Sequence, residues 1–189
     1  MDSIPLLVVL FATVGTIWYV VTIFNGLIAV RNDVDKAWAN IDVSLKQRHD
    51  ELPKLLDVCK GYMEFERDTL QKVTQARNMY QQASTIGQKA EADQSMTSAL
   101  RGFFAVAENY PDLKANSNFE QLEKRITALE SEIADRREFY NDAANTLNTR
   151  IQQMPDTFVA SFMNLTPRPM YKVEEADKAD VPMTFAATR

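Results

Sequence analysis

The stretch IPLLVVLFATVGTIWYVVTIFNGLIAV, residues 4–30, runs without a single charge into RNDVDKAWANIDVSLKQRHDEL, residues 31–52, with no proline or glycine at the junction. At about 1.5 Å of rise per helical residue, 27 residues reach about 40 Å, more than the roughly 30 Å hydrocarbon core of a bilayer. A cleaved signal peptide would show a basic leading region, a shorter apolar run and a small-residue cleavage site. Here only Met1, Asp2 and Ser3 precede the run, and Arg31, Lys36, Lys46 and Arg48 follow it. The pattern predicts a retained transmembrane anchor over residues 1–30, fused directly to a helical stalk.

Lys and Arg beside a membrane-spanning segment favour the cytoplasmic side. Arg31 and Lys36 therefore place the N-terminus outside and the main domain in the cytoplasm. Cys59 is the sole cysteine, so no intramolecular disulfide argues for an oxidising compartment. The roughly 159 residues after the anchor suffice for one domain with a real core, and five glycines and seven prolines in 189 residues fit a helical chain. A net charge of −5, with acidic side chains interspersed among the basic ones, offers no footprint for a polyanion, so no nucleic-acid partner is expected.

From Val34 the apolar positions Trp38, Ile41, Leu45, Leu52, Leu55, Cys59, Tyr62, Val73, Ala76 and Tyr80 continue a seam alternating steps of four and three once Arg48, Glu66 and Thr69 are included. Such spacing sets one stripe of a helix against another helix. Pro53 lies inside the seam and predicts a kink near Glu51 and Leu52. A second seam reads Phe119, Leu122, Ile126, Leu129, Ile133, Arg136, Tyr140, Ala143, Leu147 and Arg150. Between them a shorter helix is expected over about Glu91 to Glu108, after a break at Gly87, followed by a loop whose Asn118 or Ser117 caps the next helix. Phe158, Val159, Phe162, Met163 and Leu165 suggest a last amphipathic turn or two, and the proline-containing residues 166–189 a disordered tail. No strand-length alternation occurs. The fold class is all-α: a transmembrane helix continuous with an antiparallel up-and-down bundle of about four helices over residues 31–165, its first and third helices long.

Phe24-Asn25-Gly26-Leu27-Ile28, Arg31-Asn32-Asp33-Val34-Asp35-Lys36-Ala37-Trp38, Ile41-Asp42-Val43, Leu45 to Pro53 and Lys60-Gly61-Tyr62, together with Glu108 to Asn116 and Arg136 to Ala143, resemble the LemA family. The blocks fall in the family's order from the membrane segment to about Pro169, beyond which the tail follows no family pattern. The resemblance implies a single-pass bacterial inner-membrane protein with an antiparallel helical bundle and no established catalytic activity. Relatives include proteins of magnetosome membranes, and family members often sit beside a membrane zinc protease. The resemblance thus suggests membrane organisation or quality control.

Residue chemistry argues against an enzyme. His49 is the only histidine, so the two-histidine zinc motif cannot form, and a local hydrogen bond or water is its simpler fate. The acidic groups Glu64, Glu66 and Asp68, and Glu130, Glu132 and Asp135, are expected to be solvated faces rather than metal ligands. Cys59 on the seam reads as a small core residue, not a nucleophile. No cofactor, metal or catalytic residue is expected. Trp38 and Tyr62 read as core packing, with an exposed anchor for a partner as the alternative.

The charged seam positions stand out, since an unpaired buried charge costs several kcal/mol. Arg48, Glu66, Arg136 and Arg150 must pair in layers, snorkel, or meet a second subunit. The expected layer joins Glu66 to Arg136 or Arg137. For Phe158, Val159, Phe162 and Met163 the choices are packing on the bundle, dipping into lipid headgroups, or contacting a neighbouring subunit. Basic residues are sparse there beyond Arg168 and Lys172, so self-association ranks first. The functional expectation is a non-enzymatic, membrane-anchored scaffold that forms homo-oligomers and organises membrane or membrane-protein partners. An adaptor or cofactor of a membrane protease or signalling system, and less readily a metal-dependent hydrolase, are the alternatives.

Overall fold

The computed structural model describes residues 3–63 and 66–171, and among these every regular element is a helix. α1 spans Ser3–Cys59, α2 Arg67–Gln82, α3 Ile86–Ala107, α4 Pro111–Lys114, α5 Ser117–Arg150 and α6 Asp156–Phe162. At 57 residues α1 is about 85 Å long, and it joins the apolar stretch to the bundle without interruption. It also continues as helix through Pro53, with the fully buried Leu52 and Leu55 on either side of that residue. Within the apolar stretch the hydroxyls of Thr13, Thr16 and Thr22 donate to the carbonyls of Val9, Ala12 and Trp18, so none of these polar groups needs water.

The seam expected to run from Val34 to Tyr80 belongs to two helices. After Cys59 the chain turns at residues 60–62, with the Tyr62 and Met63 amides donating to the Cys59 carbonyl. α2 then folds back along α1, its Tyr80 ring reaching His49. The next break falls at Ala83 to Thr85 rather than at Gly87. Thr85 caps α3 by accepting from the Gln88 amide while the Gln88 side chain accepts from the Thr85 amide. Gly87 therefore lies inside the first turn of α3, which starts five residues earlier than the sequence pattern suggests. The expected loop before the second long helix contains the single turn α4, and the cap of α5 is Asn116, whose side chain accepts from the Asn118 and Phe119 amides. Here the capping residue sits one position before the two candidates read from sequence.

α1 and α5 form the longest pairing and run antiparallel. Asn40 meets Arg136, Arg48 meets Glu130, and Glu51 meets Arg125. α2 packs chiefly on α3, which runs parallel to α1: Asp42 faces Lys89 and Arg48 faces Asp93. The result is the antiparallel up-and-down bundle of four principal helices, with α4 and α6 as short additions.

Its core is two apolar segments. The one nearer the N-terminal apolar stretch contains Ile23, Leu27, Val34, Ile41 and Leu45 of α1 with Ile133, Tyr140, Ala144 and Leu147 of α5. The distal one contains Leu52, Leu55 and Cys59 with Val73, Met96, Leu100, Phe103, Phe119 and Ile126. Ile23 and Leu27 belong to the charge-free stretch and are also buried in the bundle core.

Candidate functional site

Between the two apolar segments lies a polar layer. Arg48 stands on α1 between Leu45 and Leu52, Asp93 on α3 between Ala90 and Met96, and Glu130 on α5 between Ile126 and Ile133. The Arg48 guanidinium donates to Asp93 Oδ1 at 2.5 Å, to Glu130 Oε1, and to the Thr97 hydroxyl at 3.3 Å, and that hydroxyl donates in turn to Glu130 Oε2 at 2.8 Å. Asp93, fully buried, takes two more bonds at Oδ2, from Arg137 at 3.3 Å and from the Tyr171 hydroxyl at 2.8 Å. Burial alone would push the Arg48 pKa down, but the Asp93 and Glu130 carboxylates outweigh it and raise it. Burial and the neighbouring Asp93 charge likewise push the Tyr171 hydroxyl up, keeping it a neutral donor. Sliding any of the three helices by one turn would strand a charge in the core, so the layer sets their register.

Tyr171 reaches this layer because the chain after α6 docks along α5. Asn148 and Asn141, two turns apart, each hold a backbone amide and carbonyl of the passing segment: Asn148 those of Arg168, Asn141 those of Tyr171, at 2.7–3.0 Å. The Tyr140 hydroxyl donates to the Pro169 carbonyl at 2.8 Å, and Arg168 pairs with Asp35 of α1 at 2.9 Å. Residues 166–171, the start of the tail expected from residue 166, therefore dock as a strap along α5. The amides read the backbone, so the strap docks despite its prolines, and the Tyr171 ring completes the core segment nearer the apolar stretch, beside Trp38. The rest of the expected tail, residues 172–189, lies outside the described residues.

The base of the bundle is built differently. Gly26 of α1 has no Cβ, and one placed there would lie 3.0 Å from Arg150 Nη1. That gap admits the Arg150 guanidinium against the helix, where its Nε and Nη2 hold Asp156 of α6 at 2.7 and 2.6 Å. Val159, Ala160 and Met163 turn towards the core segment that holds Ile23 and Leu27. Met154, Phe158 and Phe162 point the other way and are 72%, 67% and 84% exposed. The four residues read together from sequence thus divide: Val159 and Met163 pack inward, and Phe158 and Phe162 stand outward.

The expected partnership of Glu66 with Arg136 or Arg137 does not form. Glu66 begins α2 at the distal end and accepts from the Tyr110 hydroxyl at 3.0 Å. Arg136 instead holds Glu132, the Asn40 carbonyl and the Ser44 hydroxyl, while Arg137 joins Asp93. The seam expected to run from Val34 to Tyr80 with a kink at Pro53 instead turns back after Cys59, which leaves Glu66 at the distal end of the bundle. Tyr62 lies partly exposed at the turn, whereas Trp38 packs edge-on against Tyr140. His49 sits beside Tyr80 and near Asp50. Of the carboxylates, Glu130 and Glu132 are engaged by arginines, and Glu64 lies outside the described residues.

Asp93, Thr97, Asn141, Asn148 and Tyr171 escaped the sequence reading. Asp93 falls three residues before Met96, in phase with Leu100, Phe103 and Ala107, so an acidic seam position was there to find. The seven-residue spacing of Asn141 and Asn148 carried a weaker signal.

These features define an all-helical bundle protein whose longest core helix extends, beyond the bundle, as an apolar helix long enough to cross a membrane. The LemA family model matches residues 37–185, and the chain belongs to the LemA family. It is similar to Protein LemA of Metamycoplasma hominis, 31% identical over 175 residues that cover 89% of this chain and 78% of that relative. It is also similar to Magnetosome protein MamQ 2 and Magnetosome protein MamQ 1 of Paramagnetospirillum magneticum. Each is 35% identical over 69 residues, 36% of this chain and 25% of the relative.

Proposed function

We propose that this chain is a non-enzymatic, membrane-anchored scaffold that self-associates and organises membrane or membrane-protein partners. The observation that carries the reading is the continuity of α1. One helix supplies both an exposed apolar segment over residues 4–22 and the central packing partner of α5, so an anchor and a bundle would move as one rigid body. Exposed Val43 on α1 and Phe139 on α5 leave apolar side chains for contact with a second copy. The magnetosome proteins among the relatives support an organising role, and Arg31 and Lys36 favour a cytoplasmic bundle at a bacterial inner membrane.

The test is the mass and shape of the full-length protein extracted into native nanodiscs, by mass photometry and negative-stain imaging. A uniform oligomer that dissociates when Val43 and Phe139 are both changed to Asp supports the reading. A monomer at every concentration overturns self-association, and release of the protein from membranes by alkaline carbonate overturns the anchor.

A further inference from the structure

We infer that Met154, Phe158 and Phe162 form a lipid-binding foot that sits in the interfacial layer of the same membrane α1 crosses, giving the bundle a second attachment point. The inference rests on the anchor reading of α1 and adds a depth and a side to it.

Every residue from 4 to 22 is exposed, a length of about 28 Å, close to the thickness of the hydrocarbon core. Burial begins at Ile23 and Leu27, the last two turns of the charge-free stretch, which therefore stand at headgroup height. α6 packs against α1, and its inner face joins the core segment that contains those two residues. That packing fixes the depth of its outer face at the membrane boundary.

The outer face has the chemistry of the boundary. Phe158 and Phe162, one turn apart, project from the same side, and Met154 in the preceding turn is equally bare. From Ile151 to Pro167 the only ionisable residue is Asp156, and Arg150 neutralises it. No unpaired charge would be dragged into the headgroups with the aromatic rings. Charges resume just beyond, at Arg31, Asp35 and Arg168, which are linked to one another by ion pairs. An apolar helical face bordered by paired charges, beside the end of a spanning helix, matches an interfacial helix that needs no anionic lipid.

The test places a nitroxide on the full-length protein in vesicles of phosphatidylethanolamine and phosphatidylglycerol, by Phe162→Cys, Val14→Cys or Lys124→Cys. Native Cys59 is fully buried and stays unlabelled. Collision with oxygen and with an aqueous nickel chelate then reports depth. The oxygen-to-nickel accessibility ratio at 162 is expected to be several-fold above that at 124 and to approach that at 14. Changing Phe158 to Asp is expected to pull the ratio at 162 back towards the aqueous value while leaving the thermal unfolding midpoint in detergent unchanged. A label at 162 as aqueous as one at 124, with position 14 in lipid, overturns the foot and leaves the anchor standing. An aqueous label at 14 overturns both. Exclusion of both reagents from 162 with spin–spin broadening shows a second copy there and overturns the lipid assignment.

Discussion

Arg48 of α1 and Asp93 of α3 form an ion pair at 2.5 Å whose side chains are 3% and 0% exposed, set between the two apolar segments of the core rather than at an edge. Its position between two apolar segments makes it a register device, because a shift of either helix would break the pair and leave a buried charge to find another partner.

Asp93→Ala leaves the buried Arg48 with Glu130 as its one remaining carboxylate, takes the Asp93 carboxylate from Arg137 and removes the acceptor of the Tyr171 hydroxyl. The expected loss is about 3–5 kcal/mol, the usual cost of breaking a buried pair from one side. Thermal unfolding followed by circular dichroism reads it. Changing Arg48 to Met and Asp93 to Leu together should recover much of that loss, and failure to do so would show that the attraction itself stabilises the fold.

Leu27 belongs by sequence to the apolar stretch but by structure to the core, where it is fully buried. Leu27→Ala is expected to cost about 2–5 kcal/mol of bundle stability. Leu10→Ala, at an exposed position, should leave the unfolding midpoint of the nanodisc-embedded protein unchanged.

The strap depends on side-chain amides. Asn141→Ala and Asn148→Ala each remove two hydrogen bonds to the docked segment, about 1 kcal/mol apiece because the freed backbone can find water. Chymotryptic cleavage after Tyr171 should accelerate in either variant, more in the pair, with little change in helix content.

Burial pushes the Cys59 thiol from its ordinary value near 9 up to about 12, and burial with the Asp42 carboxylate pushes the Tyr80 hydroxyl up to about 12. Above pH 9 the unfolded chain loses these protons before the folded one does, so the folded state binds more protons and stability falls as pH rises towards 12. Each group contributes a slope of up to about 1.4 kcal/mol per pH unit within its own window. Cys59→Ala should flatten the alkaline branch of a stability-versus-pH curve between pH 9 and 12, while the part due to Tyr80 remains.

Helix type and helix pairing were readable because the 3.6-residue period and the apolar stretch are local properties. The seams through Ile41 and Leu45, and through Ile126 and Ile133, meet as their spacing implied. The turn at residues 60–62 is hidden in the sequence, since Gly61 is a weak breaker on its own and the alternation of steps survives the turn by coincidence of register. That hidden turn is why Glu66 lies at the distal end and not beside Arg136.

Sequence alone determined that the chain is helical, that its first helix could reach across a bilayer, and that charged seam residues would need partners, since each follows from hydrophobic periodicity and the cost of burying charge. Only the tertiary structure decided which partners those are, that a proline-containing segment docks through Asn141 and Asn148, and that Phe158 and Phe162 face away from the core while Val159 and Met163 face into it. These outcomes depend on contacts between residues 20 to 133 positions apart, such as Asp35 with Arg168, whose meeting is fixed by where helices turn and pack and by nothing in their local sequence.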